Sequence, residues 1–184
     1  MYDFILPQLR AVGVDSIYLE VISTNTPAIK VYSEIGFEPQ RVLKCYQGEV
    51  LVSDNKTQVE IKELATYDWQ LLKTFWDFTP TSQNSVRVMD NGLNINYSLG
   101  AYSQEALVGY LIFNPQNNRI SQIGVSKTLR KTGIGSALLN KVVKAYGEKL
   151  SVVNVDEKAV DTNLFLSSKG LKNHIDQLEM KLMI

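Results

Sequence analysis

A basic segment that contains two glycines carries the residues best suited to bind an anion. Arg130-Lys-Thr-Gly133-Ile-Gly135-Ser136 follows a β-branched apolar run, Arg119–Val125, and precedes an amphipathic stretch that predicts a helix from Ala137 to Tyr146. Unpaired N–H groups and the helix dipole both favour a phosphate at a helix N-terminus. The glycines allow close approach of the backbone, and the two basic residues add positive charge. The segment predicts a phosphate-binding loop; the alternative is a strand-to-helix turn that uses glycine for its geometry alone.

Two better-known phosphate loops fit this segment poorly. A Walker loop requires Lys and then Ser or Thr directly after its last glycine, whereas Ser-Ala follows Gly135. A dinucleotide fingerprint requires a third small residue three positions later, where this chain has Leu138. Asp156 and Glu157 lie at about the distance of the acidic residue of that fingerprint, so spacing alone leaves it open. The missing small residue and the basic pair before the glycines count against it.

The loop resembles the cofactor loop of the GNAT superfamily of N-acetyltransferases, whose pattern is Arg/Gln-x-x-Gly-x-Gly/Ala. The resemblance implies acetyl-CoA as co-substrate, direct transfer of its acetyl group to a primary amine, and an α+β (mixed α/β) fold with helices flanking a twisted mixed sheet. In that family the strand before the loop parts from its neighbour, and its backbone pairs with the pantetheine arm. The resemblance assigns those backbone contacts to Ile123 and Val125. It assigns the diphosphate to Arg130, Lys131, Thr132, Gly133, Ile134, Gly135 and Ser136.

An internal repeat divides the chain into two unequal parts. An offset of 134 residues aligns, without a gap, four pairs of similar residues: Ile5 with Leu139, Gly13 with Gly147, Val21 with Val155 and Gly36 with Gly170. Residues 1–52 then predict a helix, a strand, a helix and a strand, which is the C-terminal half of a GNAT domain without its own cofactor loop. The polar residues 53–57 predict a linker, and residues 58–184 predict a complete GNAT domain.

The residues that the family uses for chemistry occur in the first copy. The segment Asn25-Thr-Pro-Ala-Ile-Lys-Val-Tyr32-Ser-Glu-Ile-Gly-Phe begins as a helix should, with Asn25 as cap and Pro27 in the first turn. The resemblance assigns a cofactor contact to Asn25 and the role of general acid for the leaving thiolate to Tyr32. The alternative for Tyr32 is a helix residue that only packs. The second copy has Ala159 and Leu166 at the equivalent positions.

A general base cannot be singled out from sequence. The acidic candidates are Asp90, Glu105, Asp156 and Glu157, and His174, the only histidine, is expected at the surface or at a strand edge. No group of ligating residues has metal-site spacing, so no metal is expected.

Composition excludes several classes of protein. Hydrophobic residues make up 45% of the 184 residues and charged residues 21%, as in ordinary globular proteins. The formal net charge of zero gives no electrostatic reason to expect nucleic acid or membrane as a partner. Cys45 is the only cysteine, which excludes an intramolecular disulfide and fits a reducing compartment. No transmembrane run or signal peptide is evident, so the sequence predicts a cytoplasmic location.

Two further hypotheses follow from the division of the motifs between the copies. One is that the second copy binds CoA without catalysis and acts as a structural or regulatory partner within a longer tandem protein. The other is that the half-copy gives its strand and helix to the sheet of another chain in a homodimer, or packs back on its own second domain. The acceptor is expected to be a small-molecule or peptide amine.

Overall fold

A computed structural model describes residues 2–52 and 57–184; most of the expected linker lies outside the described residues. The helices are α1 (Tyr2–Ala11), α2 (Thr26–Ile35), α3 (Trp69–Thr74), α4 (Val86–Asn91), α5 (Ile134–Tyr146) and α6 (Val160–Ser168). The strands are β1 (Ser16–Ile22), β2 (Glu38–Glu49), β3 (Glu60–Glu63), β4 (Tyr97–Ser103), β5 (Ala106–Asn114), β6 (Arg119–Val125), β7 (Lys149–Asp156) and β8 (Lys172–Met183). Among these described residues, no helix has the length and apolar character needed to span a membrane.

The eight strands form one mixed sheet in the order β1-β8-β2-β7-β6-β5-β4-β3. β6 and β7 are parallel, and the other neighbouring strands are antiparallel. Helices flank this sheet, so the chain has the mixed α/β architecture that the sequence predicts.

The N-terminal segment is interleaved with the C-terminal strands. β2 lies between β7 and β8, and β8 lies between β1 and β2, so residues 2–52 share one sheet with the rest of the chain. The polar composition that suggests a boundary at residues 53–57 carries no information about which strands pair. The sequence therefore suggests two separate units, whereas the strands of both units belong to one sheet.

The pairing of β2 with β8 is symmetric about its centre. Leu43 pairs with Gln177, and one extra residue interrupts the register on each strand, Gln40 on β2 and His174 on β8. Leu43 and Gln177 are separated by 134 residues, and so are Gln40 and His174. This is the same separation that defines the sequence repeat. The bounds of β2 and β8 differ by that offset as well. Each strand therefore bends at an equivalent bulge on either side of a local twofold centre.

The core lies on both faces of the sheet. α5 packs on one face of β3 to β6, and α3 and α4 pack on the other. β5 shows why both faces are buried: Leu111 and Phe113 join the cluster under α5, Tyr110 and Ile112 join the cluster under α3 and α4, and all four are fully buried. A third cluster joins α1 and α2 to β1 and β8.

α3 is shorter than its apolar pattern indicates. The pattern predicts a helix from Thr66 to Asp77, but the helix begins after Asp68, whose side chain accepts hydrogen bonds from the N–H groups of Gln70 and Leu71. It ends at Thr74. The chain then leaves the helix and brings Asp77 toward the end of β6, where the proposed anion loop begins.

The two helices that the repeat aligns differ in burial. Leu138 on α5 is fully buried, whereas Phe4, which the offset aligns with it, is 77% exposed on α1. α5 covers the strands β3 to β6, while in the described residues no comparable strands lie beside α1, because β1 is at the edge of the sheet. Phe4 and Ile5 of α1 are therefore exposed, while Leu6 packs against the third cluster.

This difference predicts unequal effects of equivalent substitutions. Leu138→Ala should lower the free energy of unfolding by about 2–5 kcal/mol, because it leaves a cavity in the core. Phe4→Ala should change it by less than about 0.5 kcal/mol, because an exposed ring loses little packing. Urea unfolding of both variants measures the two changes. A loss at Phe4 as large as that at Leu138 would show that the face of α1 is covered in solution.

Candidate functional site

β6 and β7 begin as neighbours and then separate. Within the described part of the chain, Arg119 pairs with Ser151 and Ile120 with Val152, and no later pair joins the two strands. β6 nevertheless stays paired with β5 as far as Val125. The separation therefore opens a cleft along one side of β6 without displacing that strand from the sheet.

The backbone groups that face the cleft belong to the residues that the sequence analysis selects. The N–H of Ser126 donates to the carbonyl oxygen of Val108 on the β5 side. Because peptide groups alternate in direction along a strand, Ile123 and Val125 direct their N–H and C=O groups to the opposite side, toward the cleft. These two residues therefore present backbone donors and acceptors for an extended ligand.

The cleft continues into a groove of about 760 Å³. The end of β6 and the loop before α5 form one wall, and α6 forms the other. The groove is lined by every residue that the resemblance assigns to the cofactor in the second copy: Ile123, Val125, Arg130, Lys131, Thr132, Gly133, Ile134, Gly135 and Ser136. The structure thus brings these residues together on one surface.

The loop has the backbone geometry of an anion site. Lys131 (φ 64°) and Gly133 (φ 90°) both lie in the left-handed region, which turns successive N–H groups toward one side. α5 begins directly afterwards, and its N-cap, Gly133, has no side chain to accept hydrogen bonds from the first turn. Those N–H groups are therefore available to a ligand phosphate. A non-glycine residue held at positive φ is typical of functional loops.

Gly135 is required by the close approach of α6. A Cβ atom placed at this position would lie 3.0 Å and 3.2 Å from ring carbons of Phe165. Such contacts are tighter than most Cβ contacts, so Ala would shift the ring by a few tenths of an ångström and a larger residue would displace it further or fill the groove. Phe165 lines the groove from α6. The glycine thus allows an aromatic wall to stand next to the first turn of α5.

Arg130 lines the groove and also has partners within the chain. Its guanidinium contacts Asp77 Oδ1 at 2.5 Å, the carbonyl oxygens of Phe75 and Val125 at 3.1 Å and 3.4 Å, and Asp161 Oδ2 at 3.6 Å. Two carboxylates therefore offset the charge that the sequence analysis adds to the loop. The side chain ties the loop to β6 and to the end of α3, while Lys131 remains exposed.

Asp77 joins the two walls of the groove. One of its carboxylate oxygens binds Arg130, and the other accepts a hydrogen bond from Thr162 Oγ1 on α6 at 2.6 Å. These partners lie 53 and 85 residues away in sequence. No local sequence pattern indicates such contacts. The helix predicted up to Asp77 would also place this residue on α3, whereas the helix ends at Thr74.

Asn25 and Tyr32 lie elsewhere. The Asn25 side chain caps α2 by accepting a hydrogen bond from the N–H of Ala28 at 3.2 Å. The Tyr32 ring packs edge-on against Phe37 with 5.8 Å between ring centroids, in the cluster of α1 and α2. Neither residue lines the groove, and among the residues that the structure describes no tyrosine does. The structure does not bring this pair together with the loop.

The four acidic candidates also lie outside the groove, which Asp77 and Asp161 line instead. Asp156 Oδ2 is 3.3 Å from Arg41 Nη1, and Asp90 accepts a hydrogen bond from Trp69 Nε1 at 2.8 Å. Glu105 occupies the turn between β4 and β5, and Glu157 follows β7. His174 is exposed in the bulge of β8. The structure therefore offers two carboxylates that the sequence analysis missed.

A network of hydrogen bonds fixes β6 through the side chain of Gln122. Trp76 Nε1 donates to the Tyr110 hydroxyl at 2.6 Å, and that hydroxyl donates to Gln122 Oε1 at 2.7 Å. Gln122 Nε2 then donates to the carbonyl oxygen of Asn84 at 2.7 Å. Burial raises the pKa of Tyr110 well above its ordinary value, so the phenol stays protonated and keeps both bonds. Its role is to fix β6 beneath the cleft.

Comparisons with known proteins agree with this geometry. A family model described as an acetyltransferase (GNAT) domain matches residues 63–182. No curated protein sequence matches the chain. A GCN5-related N-acetyltransferase from Sphaerobacter thermophilus is similar in structure, with a TM-score of 0.65, 12% identity, and 98% of this chain and 64% of that chain covered.

Two further solved structures are similar. A functionally unknown conserved protein from Staphylococcus epidermidis gives a TM-score of 0.71 at 16% identity, over 99% of this chain and 78% of that one. A Drosophila protein gives 0.67 at 14% identity, over 92% and 61%. At these identities the likeness concerns the fold. The chain spans less than two thirds of the Drosophila and Sphaerobacter proteins.

The contacts of Asp77 predict how the loop responds to a substitution. Asp77→Asn should weaken binding of CoA about tenfold, because Arg130 loses the nearer of its two carboxylate partners and holds the loop less firmly. Titration calorimetry measures the affinity, and Glu157→Gln, which removes an exposed carboxylate outside the groove, is the matched control. Tighter binding by Asp77→Asn would show instead that the carboxylate competes with the ligand for Arg130.

Proposed function

Because the chain belongs to the GNAT acetyltransferase family, we propose that it transfers the acetyl group of acetyl-CoA to a primary amine on a small molecule or peptide. The observation that carries the proposal is the groove where β6 and β7 separate, since it combines the geometry of an anion-binding loop with a strand edge that no described strand pairs with beyond Ile120. Acetyl-CoA supplies an activated thioester. The chain's own contribution is to bind that thioester in extended form and to hold an amine beside it.

The residues present fit this co-substrate. The first-turn N–H groups of α5 and the left-handed loop at Lys131 and Gly133 suit the diphosphate. The backbone of Ile123 and Val125 suits the amides of the pantetheine arm, as one strand suits the next. Phe165 gives the arm an apolar wall. These assignments extend the resemblance with contacts that this chain provides.

We further propose that residues 1–52 are the C-terminal half of a second GNAT domain. The support is the offset of 134 residues, which relates β2 to β8 and the bulge at Gln40 to that at His174. In this proposal Asn25 and Tyr32 are the cofactor contact and the general acid of that first copy. They do not serve the groove of the second copy.

A second candidate function is binding without transfer. The observation that favours it is the lining of the groove, where the described residues include carboxylates and hydroxyls but no tyrosine. Leu166, which occupies the position equivalent to Tyr32, is fully buried. In this case the second copy binds CoA as a structural or regulatory part of a longer tandem protein.

The binding step is tested by filling the groove. Gly135→Glu should abolish saturable binding of acetyl-CoA in calorimetry, because the new side chain meets Phe165 and adds negative charge at the phosphate site. Ala145→Glu is the matched control, since it adds the same charge at an exposed position of α5. If the wild-type chain shows no saturable binding, both candidate functions fail.

Turnover separates the two functions. The 184-residue chain is incubated with acetyl-CoA and a broad panel of primary amines, and the release of free CoA and the mass of each acetylated product are measured. We expect amine-dependent release above the rate without protein, and none from Gly135→Glu. Acetyl-CoA binding without any product would favour the silent domain and contradict transfer by this chain.

A further inference from the structure

A second cavity lies beside the start of β6, away from the groove. Its volume is about 200 Å³, and it is enclosed by α4 and the turn after it, by the turn between β5 and β6, and by the first residues of β6. Polar side chains that line it include those of Asn96, Asn114, Gln116, Asn117, Arg119 and Ser121. Among the described residues that line this cavity, Arg119 is the one that carries a charge.

Arg119 has no partner for its charge within residues 2–52 and 57–184. The guanidinium makes no ion pair or hydrogen bond with these residues, and its Nε atom is buried. The other two partly buried arginines differ, since Arg41 contacts Glu179 at 2.7 Å and Asp156 at 3.3 Å, and Arg130 contacts Asp77. The rest of the guanidinium is not fully buried, but burying the Nε–H donor without a partner is unfavourable. The fold thus keeps an unmatched cation at the wall of a polar cavity.

The chemistry of the lining favours a carboxylate ligand. A guanidinium presents parallel N–H groups that match the two oxygens of a carboxylate. Side-chain amides supply further donors, and no carboxylate side chain among the described lining residues repels an anion. The buried Met89 gives one apolar wall. The pocket is open on one side, and its volume of about 200 Å³, that of roughly seven waters, accommodates a few carbon atoms beside the guanidinium.

We propose that the pocket at Arg119 binds a small carboxylate of about two to five carbon atoms. The site is distinct from the groove, because the bond from Gln122 Nε2 to the Asn84 carbonyl oxygen stands between them. Ser121 lines the pocket and Ile123 lines the groove, on either side of Gln122. The proposal therefore does not require acetyl transfer to be correct.

The experiment uses the full chain and a defined set of probes. Acetate, malonate and succinate are titrated at neutral pH and followed by ligand-observed NMR. We expect saturable binding of at least one of them, and at least tenfold weaker binding by Arg119→Gln. Arg119→Lys, which keeps the charge without the fork, should fall between the two. Arg87→Gln, which removes an exposed arginine of α4 outside the pocket, should bind like the wild type.

A second measurement separates binding from a structural role. Removal of an unpaired cation should leave the Tm of Arg119→Gln unchanged or higher, and calorimetry should show unchanged CoA binding. The proposal is overturned if no probe binds, if Arg119→Gln binds the probes as the wild type does, or if inorganic phosphate binds in their place. A lower Tm together with lost binding would also overturn it, because Arg119 would then serve the fold. If the wild-type chain does not bind CoA, the proposed function fails, but the carboxylate site is still tested by the probes.

Discussion

The groove depends on β7 being held firmly from one side. Among the described residues, β2 pairs with β7 from Leu43–Asp156 to Glu49–Lys149, whereas β6 pairs with β7 at two positions. That antiparallel ladder keeps β7 in the sheet and leaves its other edge free to diverge from β6. Arg41 strengthens the arrangement, since it joins β2 to Asp156 on β7, to Glu179 on β8 and to the carbonyl oxygen of Thr79. The N-terminal segment is therefore part of the architecture that opens the cleft.

Local sequence signals are sufficient for the loop and its surroundings. Glycine spacing, an apolar run before it and an amphipathic stretch after it describe one continuous segment, and β6, the loop and α5 follow that order. The family resemblance assigns Ile123 and Val125 to the ligand, and the backbone pairing of β6 with β5 agrees with that assignment. The mixed fold and the acetyltransferase family are confirmed, while the binding roles of these residues stay predictions. These features were accessible because each depends on neighbours in the chain.

Contacts between residues that are distant in sequence could not be predicted, because they depend on the packing of the whole chain. Arg130 looks like a phosphate ligand in the sequence, but Asp77 approaches it only because α3 stops at Thr74. The insertion of β2 between β7 and β8 leaves no trace in composition, although the repeat offset already relates β2 to β8. Tyr32 matches a family pattern, yet its helix packs on β1 and β8. Arg119 gave no signal at all, since a missing partner becomes visible only when every neighbour is known.

The interleaved sheet also constrains the order in which the chain acquires its structure. β1 and β2 are synthesised before β7 and β8, with which they pair, and the ion pair between Arg41 and Glu179 spans 138 residues. Until the last strand is synthesised, the N-terminal segment lacks the neighbours that bury its apolar faces. Such long-range pairing slows folding and extends the time during which strand edges are open to aggregation. β1 and β2 should therefore depend on chaperones until β7 and β8 have been synthesised.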